Sequence, residues 1–171
     1  AVFANLSFEE IDAPDYSERA ARQLEEDFRN GAQGLKFFKN FGMDLSDKSG
    51  VRVKIDDPRF DKAFEVCAKY LMPVMIHTGT SIFPGARSRL GDPMGVDDVA
   101  VDFPDLKIVI AHGGRPLWMD AAFFLVRRFP QVYMDISGIP PKALLSYFPR
   151  IAEVGGQVEV GDDVAGALRQ G

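Results

Sequence analysis

The sequence predicts an α/β fold built on a parallel sheet. Residues 73–79 and 106–114 are short apolar runs bounded by residues that interrupt regular structure, a pattern typical of strands covered by helices on both faces. Segments with helical periodicity alternate with such runs along the chain. Strand starts near positions 2, 34, 73, 106, 131 and 157 indicate about six strands joined by helical crossovers.

The first half of the chain alternates strands and helices. Residues 2–6 are a candidate strand, and residues 15–18 (Asp-Tyr-Ser-Glu) have the form of a capping box that begins an amphipathic helix. A further strand is predicted at residues 34–38. Asp57 then caps a helix whose apolar stripe includes Cys67, so we interpret this cysteine as a core thiol rather than a nucleophile.

The second half contains an irregular loop and repeats the alternation. Residues 80–95 carry several glycines and prolines together with Arg87 and Arg89. Long loops after a strand often determine specificity, and a plain surface loop is the alternative. Helices are predicted near residues 96–102, 117–129 and 141–153, and strands at residues 131–137 and 157–160.

Composition limits the possible functions. The 171 residues are enough for one domain with a core, here residues 1–171, and the formal net charge of −5 argues against nucleic acid or an anionic membrane surface as a partner. No apolar run approaches the ~20 residues of a membrane span. A single cysteine fits a reducing compartment, so we expect a cytoplasmic protein. Because the charge argues against nucleic acid and a membrane surface, we expect a small-molecule substrate.

The two histidines are the strongest functional signal. His77 and His112 are the only histidines in the chain, and each ends a predicted strand. Carboxyl ends of parallel strands meet at the edge where α/β folds build their sites, and neutral imidazole is a common metal ligand and proton carrier. We expect the two rings to lie within ~10 Å of each other and to share a metal site or an acid–base pair. A structural hydrogen-bonding role for each histidine is the alternative.

Two further polar residues lie within predicted strands. Lys36 interrupts an apolar strand, where an ammonium group is costly to bury, so it either points into the site or extends to solvent from the strand end. Asp135 either accepts hydrogen bonds from site residues of a neighbouring strand or has a structural role in the core. The chain contains no glycine-rich phosphate-binding pattern, so nothing in it supports a nucleotide-binding fold.

Several of these segments resemble one known family. Residues 73–79, 107–114 and 132–138 resemble the fifth, sixth and seventh strand segments of the amidohydrolase superfamily, in the branch that contains aminocarboxymuconate-semialdehyde-type decarboxylases. Residues 31–36 and 56–61 resemble the fourth strand and the following helix entry of that branch. The resemblance implies a partial (β/α)₈ TIM barrel of the metal-dependent hydrolase type, with one or two divalent metals, zinc or manganese, at its carboxyl edge.

The same resemblance implies roles for individual residues. His77 matches the strand 5 metal ligand, and His112 matches the strand 6 histidine that binds a metal or positions the reacting water or substrate. Asp163 matches the strand 8 carboxylate that acts as ligand and base, although its surroundings depart from the family pattern. Lys36, Arg87 and Arg89 are the candidate substrate-binding residues, the two arginines for a substrate carboxylate.

The family's first strand carries a His-x-His pair that this chain lacks, because both of its histidines are already assigned. The implied ligand set is therefore incomplete, and we expect weak metal binding and slight activity. The chain is then a piece of a longer enzyme, a protein completed by assembly, or one that no longer catalyses.

Two hypotheses follow. The first is a metal-dependent hydrolase or nonoxidative decarboxylase acting on a small organic acid, ester or amide. The second is a noncatalytic α/β module that self-associates. Six strands leave two unpaired edges, so we expect a homo-oligomer.

Overall fold

A computed structural model of the chain describes residues 1–39, 41 and 44–159, and within them five parallel strands form one sheet. The strands lie side by side in chain order, and each is paired with the next in parallel. They are β1 (Leu35–Phe37), β2 (Val74–His77), β3 (Ile108–Ala111), β4 (Val132–Asp135) and β5 (Val158–Glu159). The predicted parallel α/β architecture is therefore confirmed.

One helix precedes β1, and the other four lie between successive strands. The helices are α1 (Tyr16–Arg29), α2 (Asp61–Lys69), α3 (Gly95–Asp102), α4 (Met119–Arg128) and α5 (Leu144–Tyr147). Short 3₁₀ turns occupy Pro58–Phe60, Ser88–Gly91, His112–Gly114, Pro141–Ala143 and Ile151–Gln157. No helix in the described part of the chain is long and apolar enough to cross a bilayer.

The two faces of the sheet differ in chemistry. One face packs under the helices in the main core and carries the buried side chains Leu35, Phe37, Val74, Ile76, Ile108, Ile110, Val132 and Met134. The opposite face carries a register row of Lys36, Met75, Val109 and Tyr133, of which Val109 is fully buried. Because side chains alternate along a strand, His77 lies on this second face, two residues beyond Met75.

The number of strands differs from the prediction. Residues 2–6 were expected to form a strand, but Ala4 makes only a single parallel bridge to Leu35. The Ala4 N–H donates to the Gly34 carbonyl at 2.8 Å, and the Ala4 carbonyl accepts from Lys36 N–H at 2.9 Å. The described residues thus contain five strands rather than six, with the amino-terminal segment along the β1 edge.

Two helix details were wrong in the prediction. Asp15 precedes α1, but its φ of −98° and ψ of 8° are not extended, and its side chain makes no capping hydrogen bond. The predicted helix at residues 141–153 is interrupted, because Pro149 disfavours a helical conformation at Phe148, which has φ −132° and ψ 77°. Two other predictions for this part of the chain are confirmed. Asp57 is a cap, since its side chain accepts from Arg59 N–H, and Cys67 is a core thiol, fully buried, which raises its pKa.

We expect this chain to self-associate, as the sequence indicated. The second sheet face is only partly covered, since Met75 and Tyr133 are partly buried around Val109 rather than enclosed by helices. Burial of apolar surface at ~25 cal/mol per Å² favours covering such a face. Light scattering at high concentration should give a dimer or larger species, and a monomeric mass at all concentrations would contradict the expectation.

Candidate functional site

The two histidines lie together at the carboxyl edge of the sheet. Their ring centroids are 5.0 Å apart and their ring planes are inclined by 73°. His77 ends β2, and its register partner Ala111 ends β3, so His112 is the first residue beyond the β3 strand. Pairing of the two strands therefore brings the histidines together, well within the ~10 Å expected for a shared site.

A tight turn positions His112 over the end of β3. His112, Gly113 and Gly114 all have left-handed conformations, with φ of 63°, 55° and 68°. A Cβ on Gly113 would lie 2.8 Å from a ring carbon of Phe148 and 3.0 Å from the sulfur of Met134. Glycine is thus required at position 113 both by its conformation and by close packing.

Thr78 connects the ends of β2 and β3. Its side chain is 2% exposed, and its hydroxyl donates to the Ala111 carbonyl at 2.7 Å and accepts from Gly114 N–H at 3.0 Å. These bonds contact the chain on both sides of His112, while Thr78 itself follows His77 directly. A single buried hydroxyl therefore holds the two histidines in register.

His112 is oriented by Ser137, two residues beyond the end of β4. Its Nδ1 lies 3.1 Å from both the carbonyl and the hydroxyl oxygen of Ser137, and the Ser137 hydroxyl in turn bonds to the Asp135 carboxylate. Because a carbonyl oxygen only accepts, its bond requires the proton on Nδ1, which leaves the Nε2 lone pair free. Burial lowers the pKa of His112, and the Ser137 carbonyl and Asp135 partly oppose that shift. Neutral imidazole is the result.

His77 presents a buried nitrogen without a hydrogen bond. Its Nε2 is shielded from solvent and has no partner within the described residues. Burial is the main reason that the pKa of His77 falls to about 3, and the charges of His112, Lys36, Lys39 and Arg115 lower it further. His77 is therefore neutral at pH 7, with a nitrogen that would cost free energy to bury without a ligand.

Lys36 lies on the same sheet face as His77. It pairs in register with Met75, and its charge lowers the pKa of both histidines. Burial lowers the pKa of Lys36 itself to about 8, and Asp135 partly opposes the shift. Of the two sequence interpretations, this placement favours a lysine that points toward the site over one that extends to solvent.

The loop arginines differ in position. A cavity of about 320 Å³ opens beside His77 and is lined by His77, Thr78 and Arg89, among others. Arg87 is exposed in the same loop and is not among the residues that line this cavity. The structure thus brings one of the two predicted arginines to the side of His77.

The set of metal ligands is only partly present in the described residues. Asp163 lies outside them, and no group of three or more His, Cys, Asp or Glu side chains suited to a metal occurs in residues 1–39, 41 and 44–159. The two histidines nevertheless fit a metal: each ring is neutral, His77 Nε2 is unpaired, and His112 Nε2 has a free lone pair.

Sequence reasoning missed Ser137 and Arg115. Ser137 contacts the ring of His112, and the charge of Arg115 acts on both histidines. A signal existed for each residue, because Ser137 follows Asp135 by two positions and Arg115 follows the two glycines after His112. Neither spacing by itself indicates which side chain faces the site.

Replacing Lys36 with methionine should stabilise the protein. The folded-state pKa of about 8 lies below the ordinary 10.5, so the unfolded chain holds the lysine proton more tightly. The penalty for burying the charge is fully present below pH 8, and it shrinks as pH rises toward 10.5. We expect a gain of about 1–3 kcal/mol in unfolding free energy at pH 7 that disappears above about pH 10.5.

Urea unfolding at pH 7 and pH 10.5 would measure this gain, with the exposed Lys142→Met variant as the matched control. An equal change in both variants, or a gain that does not depend on pH, would contradict burial of the Lys36 charge.

The chain is similar to known proteins over most of its length. The family model for amidohydrolases matches residues 11–158. Among solved structures, an uncharacterised TIM-barrel protein from Bordetella bronchiseptica is 21% identical, with a TM-score of 0.65 over 90% of this chain and 54% of that protein. No curated protein sequence gives a significant match.

Two further solved structures are decarboxylases. The 2,6-dihydroxybenzoate decarboxylase from Rhizobium is 14% identical, with a TM-score of 0.63 over 99% of this chain and 64% of the enzyme. A 5-carboxyvanillate decarboxylase from Novosphingobium aromaticivorans, complexed with manganese and 4-hydroxy-3-methoxy-5-nitrobenzoic acid, is 17% identical, with a TM-score of 0.53 over 92% of this chain and 55% of the enzyme.

The chain therefore spans 54–64% of the length of these structures, and at such low identity they show the fold alone. Its five parallel strands with interleaved helices form part of a TIM barrel. Since the amidohydrolase model covers residues 11–158, the chain belongs to the amidohydrolase family.

Proposed function

We propose that this chain forms part of the active site of a metal-dependent hydrolase or nonoxidative decarboxylase that acts on a small organic acid, or on an ester or amide. The observation that carries the proposal is the pair of neutral histidines 5.0 Å apart at the carboxyl edge of an amidohydrolase-type sheet. In barrels of this kind catalytic groups lie at that edge.

His77 and His112 would hold a divalent metal, zinc or manganese, with Asp163 as the third ligand that the family resemblance implies. A 5-carboxyvanillate decarboxylase of the same fold holds manganese. When bound, such a metal polarises a substrate oxygen or lowers the pKa of bound water. The missing His-x-His pair means that this chain by itself supplies only part of the ligand set.

The protein groups around the metal ligands favour an anionic substrate. Lys36, Lys39 and Arg115 each lower the pKa of His77, so the surroundings of the ring are positively charged. Arg89 adds a cation to the cavity beside His77. Small aromatic acids fit this charge, and 2,6-dihydroxybenzoate is bound by a decarboxylase of the same fold.

Proton transfer would rest on Asp163, which the family resemblance implies as ligand and base, since the Nε2 lone pair of a metal-bound His112 cannot also accept a proton. Ser137 fixes Nδ1 of His112, and the Asp135 carboxylate, 3.9 Å from that nitrogen, would strengthen the imidazole as a ligand. A carboxylate base beside a metal suits both water attack and decarboxylation.

The test is turnover by this chain with added zinc or manganese. Carbon dioxide release from 2,6-dihydroxybenzoate and hydrolysis of phenyl acetate would be measured for the chain, for His77→Ala and for the exposed surface variant Lys142→Ala. We expect slight metal-dependent turnover that persists in Lys142→Ala and vanishes in His77→Ala. Turnover that survives in His77→Ala would place the chemistry elsewhere. No turnover by the original chain with either metal would favour the noncatalytic, self-associating module.

A further inference from the structure

Arg115 lies at the histidine pair in a position fixed by its backbone. Its carbonyl accepts from Thr80 N–H at 3.0 Å, and its own N–H donates to the His112 carbonyl at 3.2 Å. A Cβ on Gly79 would lie 2.3 Å from the Arg115 carbonyl oxygen, which shows how closely the two loop segments pack. The residue is thus held between the loop after β2 and the turn after β3.

The guanidinium of Arg115 packs against the chain after β4. A Cβ on Gly138 would lie 2.5 Å from Nη2 and 3.2 Å from Cζ, so the guanidinium occupies the space that a side chain at position 138 would need. Gly138 follows Ser137, the residue that orients His112. The arginine therefore bridges the ends of three neighbouring strands around the two histidines.

The guanidinium has donor capacity that the described protein does not use. Within the described residues its Nε is buried without a hydrogen-bond partner, and none of the ion pairs among these residues involves Arg115. Asp135, the acid beside His112, is engaged by the Ser137 hydroxyl and backbone N–H. A buried guanidinium N–H without an acceptor is costly, so a site that keeps one is prepared for an anion.

We propose that Arg115 binds the carboxylate of the organic-acid substrate, in addition to the loop arginines that the sequence suggested. The planar guanidinium offers paired donors that match the two oxygens of a carboxylate, whereas Lys36 presents a compact ammonium. Arg87 and Arg89 are both exposed, so their side chains are less preorganised than that of Arg115. This inference rests on the proposed function, because it names a contact to the substrate of that same site.

The direct test uses benzoate as the probe, with benzamide as its neutral analogue and inorganic phosphate as a competing anion. Arginine Nε–Hε resonances of the whole chain would be followed by NMR, and the Arg115 signal would be assigned by its loss in Arg115→Lys. We expect benzoate to shift the Arg115 signal, benzamide to leave it unchanged, and phosphate to bind more weakly than benzoate. Phosphate that binds as tightly as benzoate would overturn the assignment to carboxylates.

Affinity of the variants gives the second readout. Arg115→Met should weaken benzoate binding about tenfold or more, since charge-assisted hydrogen bonds are lost, and Arg115→Lys should retain part of the affinity. Arg22→Met, at an exposed position of α1, is the control and should change the affinity less than about twofold. Circular dichroism would establish that each variant is folded.

Three outcomes separate this inference from the proposed function. Unchanged benzoate affinity in folded Arg115→Met, or no shift of the Arg115 signal, contradicts the inference even where metal-dependent turnover is present. Loss of benzoate binding in Arg115→Met without any turnover in the original chain supports the carboxylate site and contradicts the enzyme assignment. Where turnover is present, a raised KM with little change in kcat for Arg115→Lys supports a binding role.

Discussion

Replacement of Gly79 by alanine is expected to lower the free energy of unfolding by about 2–4 kcal/mol. Gly79 has φ of +87°, and an added Cβ would lie 2.3 Å from the carbonyl oxygen of Arg115 and 3.2 Å from its nitrogen. Both contacts are with backbone, so no flexible side chain can move away. The substitution should also displace Arg115 from the histidine pair.

Gly31→Ala is the matched control for this prediction. Gly31 also has a left-handed φ, +103°, but an added Cβ would meet nothing within 4 Å. Its cost of about 1 kcal/mol reflects the backbone conformation alone. Urea unfolding of both variants separates conformational strain from the close contact, and equal losses at the two positions would contradict the contact with Arg115.

The second large effect is expected for Thr78→Val, which should lose about 2–4 kcal/mol of unfolding free energy. Valine keeps the shape but leaves the buried Ala111 carbonyl and Gly114 N–H without the hydroxyl that bonds both. Thr78→Ser keeps the hydroxyl and should lose far less.

The same pair of variants tests the role of Thr78 in the site. Because its two bonds lie on either side of His112, valine should alter the His112 ring resonances in NMR spectra, and serine should preserve them. A Thr78→Val protein with unchanged stability and unchanged histidine resonances would show that the hydroxyl does not hold the turn.

The parallel sheet and the histidine pair could be predicted because their signals are local. Apolar runs that end in His77 and in His112 indicate strands without knowledge of their neighbours, and chain-order pairing then brings the strand ends together. Burial of Cys67 followed in the same way from the apolar stripe of α2. In each case the residues of a single segment are enough to make the prediction.

Other features depend on contacts between distant segments. The segment 2–6 has strand composition, yet only Ala4 bridges to β1, and composition does not reveal where pairing stops. Asp15 stands at the start of α1 with a conformation that turns its carboxylate away from a cap, and it lies 3.3 Å from Arg19 Nε instead. The periodicity of residues 141–153 predicts one continuous helix, but Pro149 interrupts it after α5.

Arg115 and Ser137, the site residues that the sequence did not indicate, also depend on contacts between distant segments. Arg115 becomes a candidate only when the turn after β3 packs against Gly79 and Gly138, which are 36 residues before and 23 residues after it by their numbers. Ser137 becomes one only when β4 pairs with β3. Lys36 is recognisable in the sequence as a charge within an apolar strand, but the direction of its side chain depends on which face of the sheet carries His77.

In the proposed site, His77 and His112 bind one divalent metal together. Because they are the only histidines in the chain, long-range ¹H–¹⁵N NMR spectra contain two imidazole patterns, and both can be followed while zinc is added. We expect the two Nε2 resonances to shift with the same midpoint while Nδ1 of His112 keeps its proton, and His77→Ala to weaken zinc binding about tenfold or more. Zinc that shifts only one ring, or that binds His77→Ala as tightly as the original chain, would contradict the shared site.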